Sequence, residues 1–367
     1  MKYLLPVLSI LLLFTAVCPV NGQTDSLFVS GKSSFSLSLH TGFIISHRPA
    51  LVHLQKRHLR MAEVQYLKSA NGDKTWHRIY NYPLYGLGYR YIDFGNDKEL
   101  GRGHSLYSQL LLPLSKHHRY SVNMRFGIGI GYVEKPFHYE TNYKNLAIGT
   151  KLNGTVLTGF QFRMFTKKKI HLFGGIDFFH FSNGAFKLPN LGLNLATINL
   201  GATYFTGDPI VSKIPAKEKL KRKHEFNTAI AIGFKERYPP EGPNFMVNII
   251  NLQYHLPWGQ KGLFGAGSEM IIDQSLRGRL EEDSIQSSYL EGSTRIGVFG
   301  SCGLQLGKWD AVLQPGVYLY SKLSEDGFIY NRLLLKYRFH QHFYASLGLK
   351  SHFAKADYFE WGIGVRI

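Results

Sequence analysis

Cysteine is almost absent from this chain. Among its 367 residues only Cys18 and Cys302 carry a thiol. Removal of an N-terminal leader would leave one, which excludes an internal disulfide. Long apolar runs are also lacking: beyond the first twenty residues no stretch is continuous enough for a membrane-spanning helix. Acidic residues are few, 25 against 43 Lys and Arg, giving a formal net charge of +18. A charge of that sign ordinarily raises nucleic acid as a partner. The N-terminus argues otherwise. Lys2, an apolar run from Tyr3 to Val20 and then Asn21-Gly22-Gln23 read as a secretory signal peptide over residues 1–22. A lipid anchor on Cys18 is disfavoured by Val17 before it. For an exported chain an anionic glycolipid surface is the natural counterpart of the charge, with solvated loops as the plainer explanation. No nucleic acid is expected.

What is abundant is aromatic residues and glycine: 22 Tyr, 26 Phe and 38 Gly, with a slightly negative mean hydropathy. Membrane barrels have this composition, because only alternate residues face lipid and aromatic girdles mark both interfaces. The alternation predicts strands at 35–45, 59–68, 81–94, 104–114, 120–134, 146–165, one ending at 182, and 193–206. After a basic stretch, strands follow at 226–235, 245–255, 262–274, 295–307, 311–322, 328–339, 343–353 and 358–367. In the last of these, Phe359, Trp361, Ile363, Val365 and Ile367 share a face. The expected fold class is all-β, an antiparallel transmembrane β-barrel of about 14–16 strands in one barrel. The alternative is two eight-stranded units. The corresponding domains are a signal peptide at 1–22, a barrel half at 23–207, a basic linker at 208–225 and a second set of strands at 226–367.

The chemistry concentrates in Phe178–Asn194, FFHFSNGAFKLPNLGLN. Ile176, Phe178, His180 and Ser182 fall on one strand face, Asp177, Phe179 and Phe181 on the other. A histidine two residues from a serine on one face can take its hydroxyl proton, the first demand of a serine nucleophile. Asn183 and Asn190 add amide donors suited to an oxyanion. An aspartate is costly in lipid, so Asp177 is expected to face inward and His180 and Ser182 outward. If odd strands run outward from the periplasm, the pair sits at the external rim.

The pattern HxSNG followed by PN resembles the PagL-type lipid A 3-O-deacylases, over roughly residues 30–207. The resemblance implies an outer-membrane β-barrel serine esterase with His180 as general base and Ser182 as nucleophile. Asn183, Gly184 and Asn190 would form or support the oxyanion and substrate site. The acid of that family, usually Glu, falls twelve residues after the serine, where this chain has Asn194. An amide oxygen there can orient the imidazole but cannot offset the charge of an imidazolium.

Elsewhere, Lys350, His352, Asp357 and Glu360 flank the last turn as a candidate metal or acid–base cluster, or as plain polar residues at a loop tip. The runs GIGIGY and FGAGSE lie inside strands with no helix after them, which excludes nucleotide loops. The function expected is removal of an ester-linked acyl chain from lipid A, lipopolysaccharide or a related glycolipid at the bacterial outer membrane, with no cofactor and no metal. The alternative is a catalytically inactive barrel with a structural, binding or transport role. A periplasmic carbohydrate-binding sandwich fits the alternation up to Ile367 poorly.

Overall fold

A computed structural model of the chain describes residues 27–29, 31–117, 119–166, 169–207, 210–212, 223–282, 284–323, 326–353 and 355–367. The expected signal peptide, Cys18 and most of the basic linker lie outside the described residues. Described strands run in the order β1 (Leu27–Val29), β2 (Ser33–Ile44), β3 (Leu59–Ser69), β4 (Leu84–Asp93), β5 (Arg102–Lys116) and β6 (Tyr120–Val133). They continue as β7 (Leu152–Met164), β8 (Ile170–Ser182), β9 (Leu193–Thr206) and β10 (Ile210–Ser212). β1 and β10 pair as a short ribbon.

The chain forms two compact units, each containing one closed antiparallel eight-stranded barrel. The expected number of barrel strands forms, but not as one wide ring. β2 pairs with β9 from Ser33↔Thr206 to Ile44↔Leu195, so β2–β9 close on themselves with no free edge for a ninth strand. The alternation that predicted the strands sets each wall. Along β2, Ser34, Ser36, Ser38 and His40 are buried, while Phe35, Leu37 and Leu39 are exposed. The strand predicted at 146–165 starts too early. Residues 146–151 belong to a loop, because the Asn145 side-chain oxygen accepts from the Ala147 and Ile148 N–H groups at 3.2 and 3.3 Å and turns the chain there.

The lumen of this first barrel is filled. Glu63 on β3 accepts from Arg90 at 3.1 Å and Arg125 at 2.8 Å, from Tyr107, and from His40 and Ser38 at 3.0 Å each. Asp177 on β8 accepts from the same two arginines at 2.6 and 2.9 Å. Two carboxylates matched by two guanidiniums keep the buried network neutral when His40 is uncharged. His40, Glu63 and Asp177 also lie close enough together to suggest a metal site. The two guanidiniums already hold both carboxylates and oppose a cation there. Above this network an apolar layer of Phe94, Tyr107, Phe179, Phe181, Leu193 and neighbours closes the end where β8 finishes.

The second barrel comprises β11 (Glu225–Glu236), β12 (Asn244–Trp258), β13 (Gly262–Asp273), β14 (Thr294–Leu306), β15 (Trp309–Ser321), β16 (Ile329–Arg338), β17 (Phe343–His352) and β18 (Lys355–Arg366). It closes through β11 and β18, from Asn227↔Arg366 to Phe234↔Phe359. GIGIGY lies in β6 and FGAGSE in β13. Lys350, His352, Asp357 and Glu360 are not loop-tip residues. Lys350 pairs with Glu269 at 3.4 Å and Arg332 with Glu360 at 3.1 Å, both buried, and Lys235 pairs with the partly buried Asp357 at 2.7 Å. The pleat turns them inward, and burial demands that each charge be matched. Among the described residues no helix is long and apolar enough to cross a membrane, which says nothing of strands.

Candidate active site

β8 carries His180 and Ser182 to the end of the first barrel. On its outer face Ile176 is 56% and Phe178 37% exposed, while Asp177, Phe179 and Phe181 are buried. His180 shares the outward parity and is half-buried; Ser182 continues it and is buried. The chain then turns sharply. Gly184 takes φ +62°, where a glycine is favoured, and the loop returns through Pro189 and Asn190.

Asn190 is held at both ends of its amide. Its Oδ1 accepts from the Asn183 backbone N–H at 3.1 Å, and its Nδ2 donates to Ser182 Oγ at 2.9 Å. Using the amide once at each end fixes which way it points. Asn183 contributes differently from Asn190, since its side chain donates to Thr150 Oγ1 at 3.2 Å. Asn190 is therefore the amide at the serine, and Asn183 supports it through the backbone.

His180 and Asn194 are register partners on β8 and β9. His180 Nδ1 donates to Asn194 Oδ1 at 2.5 Å. The position where an acid was expected thus meets the imidazole with an amide oxygen. The imidazole proton on Nδ1 leaves Nε2 as the basic nitrogen. Gly192 lies beside this ring with φ +82°, and a Cβ added there would come within 2.7 Å of His180 Cε1. Glycine is required at that position for both conformation and space.

Three residues of this neighbourhood escaped the sequence reading. Thr150 anchors Asn183, Gly192 makes room for the ring, and His47 touches the far end of Asn194. The Asn194 Nδ2 donates to His47 Nδ1 at 2.8 Å, and His47 Nε2 donates to the Leu191 carbonyl at 3.0 Å. The PN-containing loop itself is pinned by Leu191 N–H to Leu146 O at 3.2 Å and Gly192 N–H to Ala147 O at 2.9 Å. His47 lies just past the end of β2. Barrel closure between β2 and β9 brings it to Asn194, so no local sequence signal marks it.

Fold and site together define a protein of closed barrels in which the end of β8 carries two polar pairs, Ser182 with Asn190 and His180 with Asn194. The chain belongs to the lipid A 3-O-deacylase (PagL) family. The family model of that description matches residues 60–203, and a second, described as acyloxyacyl hydrolase, C-terminal domain, matches residues 224–367. A search of curated proteins finds no match. Solved structures returned by the comparison include a triple mutant of the Rh. blastica porin, at 9% identity over 91% of this chain and 99% of that one, with a TM-score of 0.19. Another is CdiB from Acinetobacter baumannii, at 8% identity over 94% of this chain and 65% of that one, also with a TM-score of 0.19. At such scores the fold rests on the strand pairing alone.

Proposed function

We propose that this protein is an outer-membrane esterase that removes an ester-linked acyl chain from lipid A or a related glycolipid, with Ser182 as nucleophile. The observation that carries this reading is the cluster on one outward face of β8. Asn190 donates to Ser182 Oγ, and Asn194 holds His180 with Nε2 unprotonated.

In the reaction Ser182 Oγ attacks the ester carbonyl carbon and gives its proton to His180 Nε2. The carbonyl oxygen becomes an oxyanion, stabilised by the Asn190 amide with support from Asn183 and Gly184. Collapse breaks the ester C–O bond, and the departing sugar oxygen takes the proton from His180 to become a hydroxyl. Water then hydrolyses the acyl-enzyme with His180 again as base, releasing the fatty acid. No cofactor enters these steps. Asn194 orients the imidazole; with no carboxylate there, the imidazolium formed during attack is less stabilised than in a Ser-His-acid triad.

Two further observations favour a membrane lipid as substrate. The outer wall is apolar and the lumen polar, the reverse of a protein surrounded by water. Exposed Ile176, Phe178 and Val156 flank the site on β8 and β7, so an acyl chain in the bilayer can lie along the apolar wall beside it. The filled lumen of the first barrel speaks against transport through it. The test uses purified protein in detergent with defined lipid A. A fluorophosphonate probe should label Ser182, and mass spectrometry should find a released fatty acid; a labelled residue other than Ser182, or no release, would count against the proposal.

A further inference from the structure

We propose that His47 is a positioning residue for this hydrolase, acting through Asn194 to set the tautomer of His180. The inference rests on the esterase reading above and adds a residue to its site. The Leu191 carbonyl is a group that only accepts. His47 Nε2 lies 3.0 Å from it and must therefore carry a proton. In the neutral imidazole His47 Nδ1 then accepts from Asn194, and the nitrogen end of that amide is the one 2.8 Å away. With Nδ2 committed to His47, Oδ1 faces His180 Nδ1 at 2.5 Å. An acceptor there requires the His180 proton on Nδ1, which leaves Nε2 basic on a ring two residues from the nucleophile.

A carboxylate at position 194 would need no such help, because both its oxygens accept. An amide has one end that accepts and one that donates, and the wrong end toward His180 would hold the proton on Nε2. The base would then be lost. In this chain His47, anchored by a backbone carbonyl, supplies the direction that an acid would supply by its chemistry. The Ile45 N–H donates to the Asn194 carbonyl at 2.8 Å, fixing the β2 end against β9 two residues before His47.

Two readouts test this. In protein labelled with ¹⁵N-histidine, the His180 signals are assigned by their loss in His180→Gln. The wild type should show His180 protonated on Nδ1, and His47→Ala should shift it toward Nε2–H. In kinetics on lipid A, a misplaced imidazole proton costs serine proteases up to about 10⁴-fold, so His47→Ala should lower kcat by between about tenfold and that limit, with KM little changed. In the Asn194→Asp background the same change should cost much less. His180 remaining on Nδ1 in His47→Ala, or an equal loss in both backgrounds, overturns the proposal. If the wild type releases no fatty acid, the esterase reading fails, whereas the tautomer measurement still decides the role of His47.

Discussion

His180 and Asn194 face each other across neighbouring strands, with the imidazole Nδ1 2.5 Å from the amide Oδ1. The contact fixes which ring nitrogen is basic but brings no negative charge to the imidazole. An imidazolium formed beside it is stabilised by a dipole where related sites place a carboxylate. The esterase proposed here is accordingly oriented for catalysis and underpowered in one term.

The first prediction follows from that term. Asn194→Asp keeps the length of the side chain and exchanges the amide for a carboxylate, so kcat should rise. The corresponding Asp-to-Asn loss in serine proteases is about 10⁴-fold, which bounds the gain. Asn194→Glu, the residue type of the resembled family, should also raise activity, by less where the extra methylene shifts the contact. Steady-state kinetics on lipid A in detergent would check both, and a fall in either variant would place the acid's role elsewhere.

Gly192 offers a steric test. Gly192→Ala adds a Cβ 2.7 Å from His180 Cε1 at a residue with φ +82°. The barrel should still assemble and shift on unheated electrophoresis, while esterase activity drops because the ring is pushed from its contact with Asn194. Full activity in a folded Gly192→Ala barrel would contradict the placement of the imidazole.

The lumen gives a stability prediction. Asp177→Ala leaves Arg90 and Arg125 short of a buried partner, since each donates to it at under 3 Å. Removing one partner of a buried pair costs about 3–5 kcal/mol. The heat-induced loss of the fast-migrating barrel form should move to clearly lower temperature, and an unchanged transition would mean that the network adds little.

Location can be checked separately. The protein should remain with membranes after carbonate extraction, as its apolar outer wall requires. Recovery as a soluble monomer without detergent would remove the basis for a lipid substrate.

Much of this was legible in the sequence, and the reasons are local. Period-two alternation gave most strands to within a few residues, because each pleat side meets either lumen or surroundings. The same parity put His180 on the face of Ile176 and Phe178, and the cost of a charge in lipid turned Asp177 inward. What the sequence does not carry is partnership over distance. Arg90 and Arg125 meet Asp177 across 87 and 52 positions, and His47 meets Asn194 across 147. Whether sixteen strands close once or twice depends on which edges find each other, and alternation is the same in both cases. The last hairpin misled for a related reason. Lys350 and Glu360 look like turn residues until the arginine and glutamate on other strands that neutralise them are seen.

The central claim is that Ser182 cuts an acyl ester of lipid A. Its most direct test is mass spectrometry of lipid A from cells expressing the wild type or Ser182→Ala, with both proteins recovered as folded barrels from the outer membrane. Loss of one acyl mass with the wild type and none with Ser182→Ala is the predicted result. Unaltered lipid A under strong expression of the wild type, or the same loss with Ser182→Ala, would contradict it.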